Sequence, residues 1–116
     1  MNMSSGIQDT FKLVVYVPVD YTEAVKSAIM AAGGGEQGDY DQCCWQVLGK
    51  GQFRPLVGSS PFIGHESKQK QMVEYVEEYR IEVLCNEEHL EKIVTALKIA
   101  HPYEEPAFDV FRRYAV

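Results

Sequence analysis

Cysteine is scarce in this chain: three residues in 116, two of them neighbours at Cys43 and Cys44. An odd count with adjacent members is not the paired framework of a small secreted domain, so no disulfide scaffold is expected. Basic charge is also short, with 11 Lys and Arg against 17 Asp and Glu and a net charge of -6. A phosphate backbone is gripped by a basic stripe and none is present, so nucleic acid is not expected as a partner. Long apolar runs are missing too, and no membrane span is expected. Met1–Thr10 is polar and lacks the apolar centre of a signal peptide. The expectation is a flexible N-terminus over 1–10 and a reducing, cytoplasmic setting.

What is present suffices for one core. A chain of 116 residues buries roughly two-thirds of its surface on folding and needs no metal or disulfide staple. Hydrophobic content of 46% and charged content of 24% are globular rather than disordered values. A single domain over 11–116 is expected.

The run FKLVVYV, Phe11 to Val17, is a strand by its β-branched and aromatic content, and Pro18 stops it. A helix follows, capped by Asp20 or Thr22, with Val25, Ala28, Ile29 and Ala32 on one face and Gly33 at its end. CCWQVL, Cys43 to Leu48, reads as the second strand, Gly49–Gly51 as a turn, and Gln52–Leu56 as an extended edge segment containing Pro55. Gly58 to Lys70 reads as a mobile loop. Met72 to Cys85 is the third strand, with Tyr79, Ile81, Val83 and Cys85 on one face and a disturbed phase at Val76–Glu77 that suggests a bulge. Asn86 caps a second helix with a stripe of Leu90, Ile93, Val94 and Leu97, and Pro102 forces His101 out of helical geometry. Ala107 to Tyr114 is the last strand.

The order is βαββαβ, which predicts an α+β ferredoxin-like sandwich with both helices on one face of an antiparallel sheet. An unbroken third strand would run to about 45 Å at ~3.3 Å per residue, so the β2–β3 hairpin is expected to project beyond the body. The first strand is apolar on both sides: if Leu13, Val15 and Val17 meet the helices, Val14 and Tyr16 face away. In the last strand Phe108 and Val110 oppose Phe111, so a large ring also faces outward. Burying each such side chain stabilises by roughly 1.5–3 kcal/mol. Self-association over this face is the expectation.

Three motifs, GDYDQCCWQVLGKGQFRPLVGSSPFIG, VEEYRIEVLC and AHPYEEPAFDVF, occur in this order. Together they resemble the YqfO-type domain, which occurs inserted within Nif-three-like proteins and as a free-standing protein. The likeness spans about Phe11 to Tyr114. It implies a PII/CutA-like fold and a homotrimer with sheets packed around a central axis. It also implies that the two-metal site of full-length Nif-three-like proteins, sometimes described as a GTP cyclohydrolase centre, lies in the halves flanking this domain, outside the residues of this chain. In PII-like relatives the loop equivalent to 58–71 contacts ligands or partner proteins.

HPYEEP, His101 to Pro106, is the leading polar cluster, and three readings of it stand. His101, Glu104 and Glu105 can ligate a divalent or transition metal such as zinc, copper, nickel or iron. The paired carboxylates can act as general acid and base if burial raises one pKa. The structural alternative has Pro102 and Pro106 stiffening a reversal over Tyr103, with Glu104 or Glu105 accepting backbone N–H groups. Cys43 and Cys44 alternate across a strand, so one is expected in the core and the other beside His65 or His101; Cys85 reads as core. The candidate ligand cleft is Tyr40, Cys44, Trp45 and Phe62, with Phe53 as a further wall. AGGGEQG, Ala32 to Gly38, ends a helix instead of opening one, against a phosphate loop. His65 and His89 read as surface residues, and no nucleophile arrangement is found, so no catalytic residue is assigned.

The sequence thus predicts a trimeric PII/CutA-like protein, non-enzymatic and regulatory, binding a small effector or a partner protein through the 58–71 loop. The alternatives are a metal-binding protein using the HPYEEP loop and a small hydrolase using Glu104 and Glu105. No cofactor is assigned beyond a divalent metal ion.

Overall fold

A computed structural model describes residues 9–114. The flexible segment expected over 1–10 lies almost wholly outside the described residues. The order is β1 (Thr10–Pro18), a 3-10 turn (Val19–Tyr21), α1 (Thr22–Ala31), β2 (Trp45–Phe53), α2 (His65–Lys70), β3 (Glu74–Asn86), α3 (Glu87–Ala100) and β4 (Phe108–Arg112). The sheet runs β2-β3-β1-β4 and is antiparallel at every pairing. β1 and β2 are therefore parallel with β3 between them, and α1 crosses over; α3 links β3 to β4 past β1. These interlocked split βαβ units are the ferredoxin-like sandwich the element order predicts.

The core lies between one sheet face and the two long helices. Leu13, Val15 and Val17 of β1 and Ile81, Val83 and Cys85 of β3 alternate onto that face and meet Val25 and Ile29 of α1 and Ile93 and Leu97 of α3. Phe108 and Val110 pack at its margin. On the bare face the outcome is mixed. Val14 faces away from the helices yet is buried, because long polar chains lie around it. Lys12 reaches Glu82 at 3.4 Å, Arg80 reaches Glu82 at 3.1 Å and donates to the Tyr16 hydroxyl at 3.0 Å. The apolar surface of that face is left to its edges: Trp45 and Val47 on β2 and Phe111 on β4 are all exposed.

Several local expectations are corrected. No turn interrupts β2 at Gly49–Gly51. The ladder runs from Trp45↔Glu82 to Phe53↔Glu74 without a break, and the missing Cβ of Gly51 makes room for the Glu78 carboxyl. The glycine supplies space, not curvature. The same ladder is in register through Val76 and Glu77, so β3 carries no bulge. The shift of phase there has another cause: β1 ends at Pro18 opposite Glu78, beyond which Glu74–Glu77 pair with β2 alone and the helices no longer cover them.

Cys43 and Cys44 precede β2 instead of opening it. Cys43 is half-buried and Cys44 exposed, so neither joins the core, whereas Cys85 does. The segment 58–70 is not all loop, since α2 forms over its second half. A Glu66–Lys70 ion pair at 2.6 Å, spaced i to i+4, supports that turn. The helix caps also differ. Thr22 Oγ1 donates back to the Pro18 carbonyl, and Asn86 stands at the α3 N-cap without a side-chain hydrogen bond. The Glu87 N–H is taken instead by the Asp9 carbonyl at 3.1 Å. His101, extended at φ -74 and ψ 135, ends α3 as Pro102 requires.

The hairpin does project. The molecule measures 59 Å by 23 Å by 23 Å, with the distal halves of β2 and β3 forming one arm. No helix among the described residues is long and apolar enough to cross a membrane.

Candidate functional site

The HPYEEP turn leaves the C-terminal end of α3 and comes to rest where β1 stops and the hairpin arm begins. His101 anchors it. The residue is 5% exposed, with Nε2 2.7 Å from the Tyr16 carbonyl oxygen and Nδ1 3.1 Å from the Tyr103 amide nitrogen. A carbonyl only accepts and an amide N–H only donates, so Nε2 carries the hydrogen and Nδ1 has none. Burial pushes the His101 pKa down, against a smaller upward pull from the Tyr16 carbonyl. The ring is a neutral clamp between β1 and the turn. As folded, it has no ring nitrogen left for a metal ion, and no group of three His, Cys, Asp or Glu side chains among the described residues could hold one.

Tyr103, Glu104 and Glu105 face a cleft of about 270 Å³. Tyr103 packs against His101, with centroids 5.0 Å apart, and looks onto Phe53 and Phe62 at 6.3 and 6.4 Å. Segment 53–63 folds back from the end of β2, bringing Pro55, Pro61, Phe62 and Ile63 over this ring. Glu104 ties that segment down by accepting the Ser60 N–H at 3.2 Å, while Phe62 stands edge-on to Tyr21, 5.3 Å between centroids. Val76 and Glu78 of β3 form the floor. Burial raises the Glu78 pKa above the ordinary value. The Tyr103 hydroxyl is buried without a hydrogen-bond partner, and burial together with the charges of Glu78 and Glu74 pushes its pKa up to about 12.

The sequence-predicted site residues are therefore divided. Glu104, Glu105 and Phe62 share this cleft, with Phe53 as its wall. Cys44 and Trp45 line a second hollow of about 260 Å³ beside Lys12, Gln37, Glu82 and Arg113. Tyr40 is 76% exposed and belongs to neither lining. His65 is exposed on α2, and His89 packs under Gly33 with Nε2 3.8 Å from Glu36. Sequence reasoning missed Glu78 and Val76. Strand alternation put Glu78 on the face away from the helices and left Val76 at a disturbed phase, and nothing local showed that a distant loop would cover them. The glycines of 32–38 make a chain reversal: the Gly35 N–H bonds the Leu84 carbonyl, and its carbonyl accepts the Cys43 N–H, each at 2.9 Å.

Sheet order, helix placement and the projecting hairpin define an α+β domain of the ferredoxin-like, PII/CutA-like class. CutA from Synechococcus elongatus superposes with a TM-score of 0.61 over 97% of this chain and 86% of its own, at 17% identity, a likeness of fold alone. No family model matches the chain. A Bacillus cereus protein related to NIF3 gives a TM-score of 0.76 at 34% identity, over 94% of this chain and 27% of that one. Proteins named GTP cyclohydrolase 1 type 2 homolog are 42% identical over 106 residues in Mycobacterium leprae and 39% over 100 residues in Bacillus subtilis. Those matches span 91% and 86% of this chain but 26% of each relative. The chain is a YqfO-type domain of the Nif-three-like family, and it spans about a quarter of the length of the curated relatives it matches.

Proposed function

We propose that this domain is an oligomeric regulatory module that holds a small ligand in the cleft between the HPYEEP turn and segment 53–63. One observation carries the reading. A loop from the far end of the hairpin is folded back over Tyr103 and pinned by Glu104, which forms a cleft whose walls are rings and aliphatic groups and whose charged groups are carboxylates. That composition suits recognition, since apolar walls supply most of the contact and a few polar groups fix orientation. A PII/CutA-like fold and Nif-three-like kinship support a binding role.

The proposed assembly is a homotrimer. Trp45, Val47 and Phe111 remain exposed on the sheet face that no helix covers, and β2 presents an unpaired edge. Exposed edges and apolar patches are commonly covered by a neighbour. Light scattering is expected to give three times the 13.1 kDa of one chain. A ligand seated in the cleft is expected to slow proteolysis within 58–71. A single-chain mass at micromolar concentration refutes the trimer. Unchanged cleavage at ligand saturation refutes the role of the loop.

A further inference from the structure

The lining of the cleft is unbalanced in charge. It holds the carboxylates of Glu78, Glu104 and Glu105 and no Lys, Arg or His. Lys68 binds the Ser59 carbonyl and stays outside the lining. The fourteen-residue helix α3 ends at this point as well, and a helix C-terminus adds negative potential. An anion entering here would face three carboxylates, with no cation in the lining to offset them.

The rings add a second preference. Phe53 and Phe62 flank Tyr103 at 6.3 and 6.4 Å between centroids. Aromatic faces attract a cation lying within about 6 Å of their centroids, and more strongly where water is excluded. A volume of about 270 Å³ falls just below the roughly 300–1,000 Å³ of drug-sized sites, which points to a small occupant.

We propose that the cleft binds a small organic cation, its alkylammonium or guanidinium head held among Phe53, Phe62 and Tyr103 and neutralised by Glu104 and Glu78. This rests on the reading that the cleft is a ligand site, and names the chemistry it takes. The rings distinguish such a head from a bare metal ion, which would demand oxygen or nitrogen ligands on several sides. The short apolar tail of the cation lies against Pro55, Pro61 and Val76.

The test uses the full chain and three probes: choline, n-butylguanidinium and 3,3-dimethylbutan-1-ol, the uncharged isostere of choline. Nuclear magnetic resonance titration is expected to show at least one cation shifting the ring signals of Phe53, Phe62 and Tyr103, with the alcohol about tenfold weaker than choline. Glu104→Gln, which keeps an oxygen to accept the Ser60 N–H and removes only the charge, is expected to weaken the cation severalfold. Equal binding of alcohol and choline, or no shift at these rings at tens of millimolar cation, overturns the proposal. An anionic metabolite shifting the same rings would overturn the cation while leaving the ligand site standing. A cation bound by a single-chain species would support the cation and refute only the trimer.

Discussion

At the scale of single residues, His101 and Glu78 show how burial acts with opposite sign on a base and an acid. His101 has a lowered pKa in the fold, because its charged form would lose water and bring a second N–H against Tyr103. Its contribution to stability is complete above the unfolded value and is lost as pH falls through the folded one. The urea midpoint is therefore expected to decline as pH falls below the ordinary histidine value of about 6.5, and His101→Gln to flatten that part of the profile. At neutral pH the same variant is expected to cost roughly 1–3 kcal/mol, for a buried carbonyl and N–H left poorly paired. Glu78 has a raised pKa, so the stability it provides is complete below the unfolded value and is lost as pH rises through the folded one. Glu78→Gln is expected to raise the urea midpoint at neutral pH and give no gain in acid. A gain of equal size in acid would show that packing, not charge, is responsible.

At the scale of elements, two glycine positions separate conformation from space. Gly35, at φ +80, lies in the reversal between α1 and β2, and an added Cβ would fall 2.8 Å from the Cys43 carbonyl oxygen and 2.7 Å from Met30 Sδ. Gly35→Ala combines left-handed strain with a backbone collision and is expected to destabilise by about 1–3 kcal/mol in chemical denaturation. Gly58, at φ +97, has nothing within 4 Å of such a Cβ, so Gly58→Ala is expected to cost less. Equal losses would mean that the collision at Gly35 relaxes freely. Both long helices and strands β1 and β3 were legible, because their apolar periods of 3.6 and 2 match the faces they bury, whereas β2 was legible only in its first half. α2 was not, although Glu66 and Lys70 already stood at helical spacing, because its one polar turn buries no apolar stripe. Nor was the continuity of β2 through Gly49 and Gly51, since glycine is read as a turn residue until the side chain above it is known.

At the scale of the whole molecule, the arm and the bare face matter most. The charged network of Lys12, Arg80 and Glu82 shields the centre of that face, which leaves Trp45 and Phe111 as the rings a neighbour would cover. Phe111→Glu and Trp45→Glu are each expected to lower the light-scattering mass towards that of one chain, with far-ultraviolet circular dichroism unchanged. A trimer that survives both substitutions would place its interface elsewhere. The metal and hydrolase readings of HPYEEP depended on what surrounds the turn, which no spacing along the chain reports. In the structure His101 is spent on holding the turn, while one Glu104 oxygen accepts the Ser60 N–H.

The sequence alone determined the sandwich, its helical face and the end of α3, because apolar alternation and proline act within a few residues of themselves. It also marked HPYEEP as the distinctive turn of the chain. Only the tertiary structure decided that Phe53, Phe62, Glu78 and Tyr103 share one cleft while Cys44 and Trp45 lie at another. Those residues come from β2, a loop, β3 and the turn after α3, and they meet only because β1 stops short of the hairpin arm. Contact among segments so far apart depends on where strands end and loops fold back, and no local pattern encodes either.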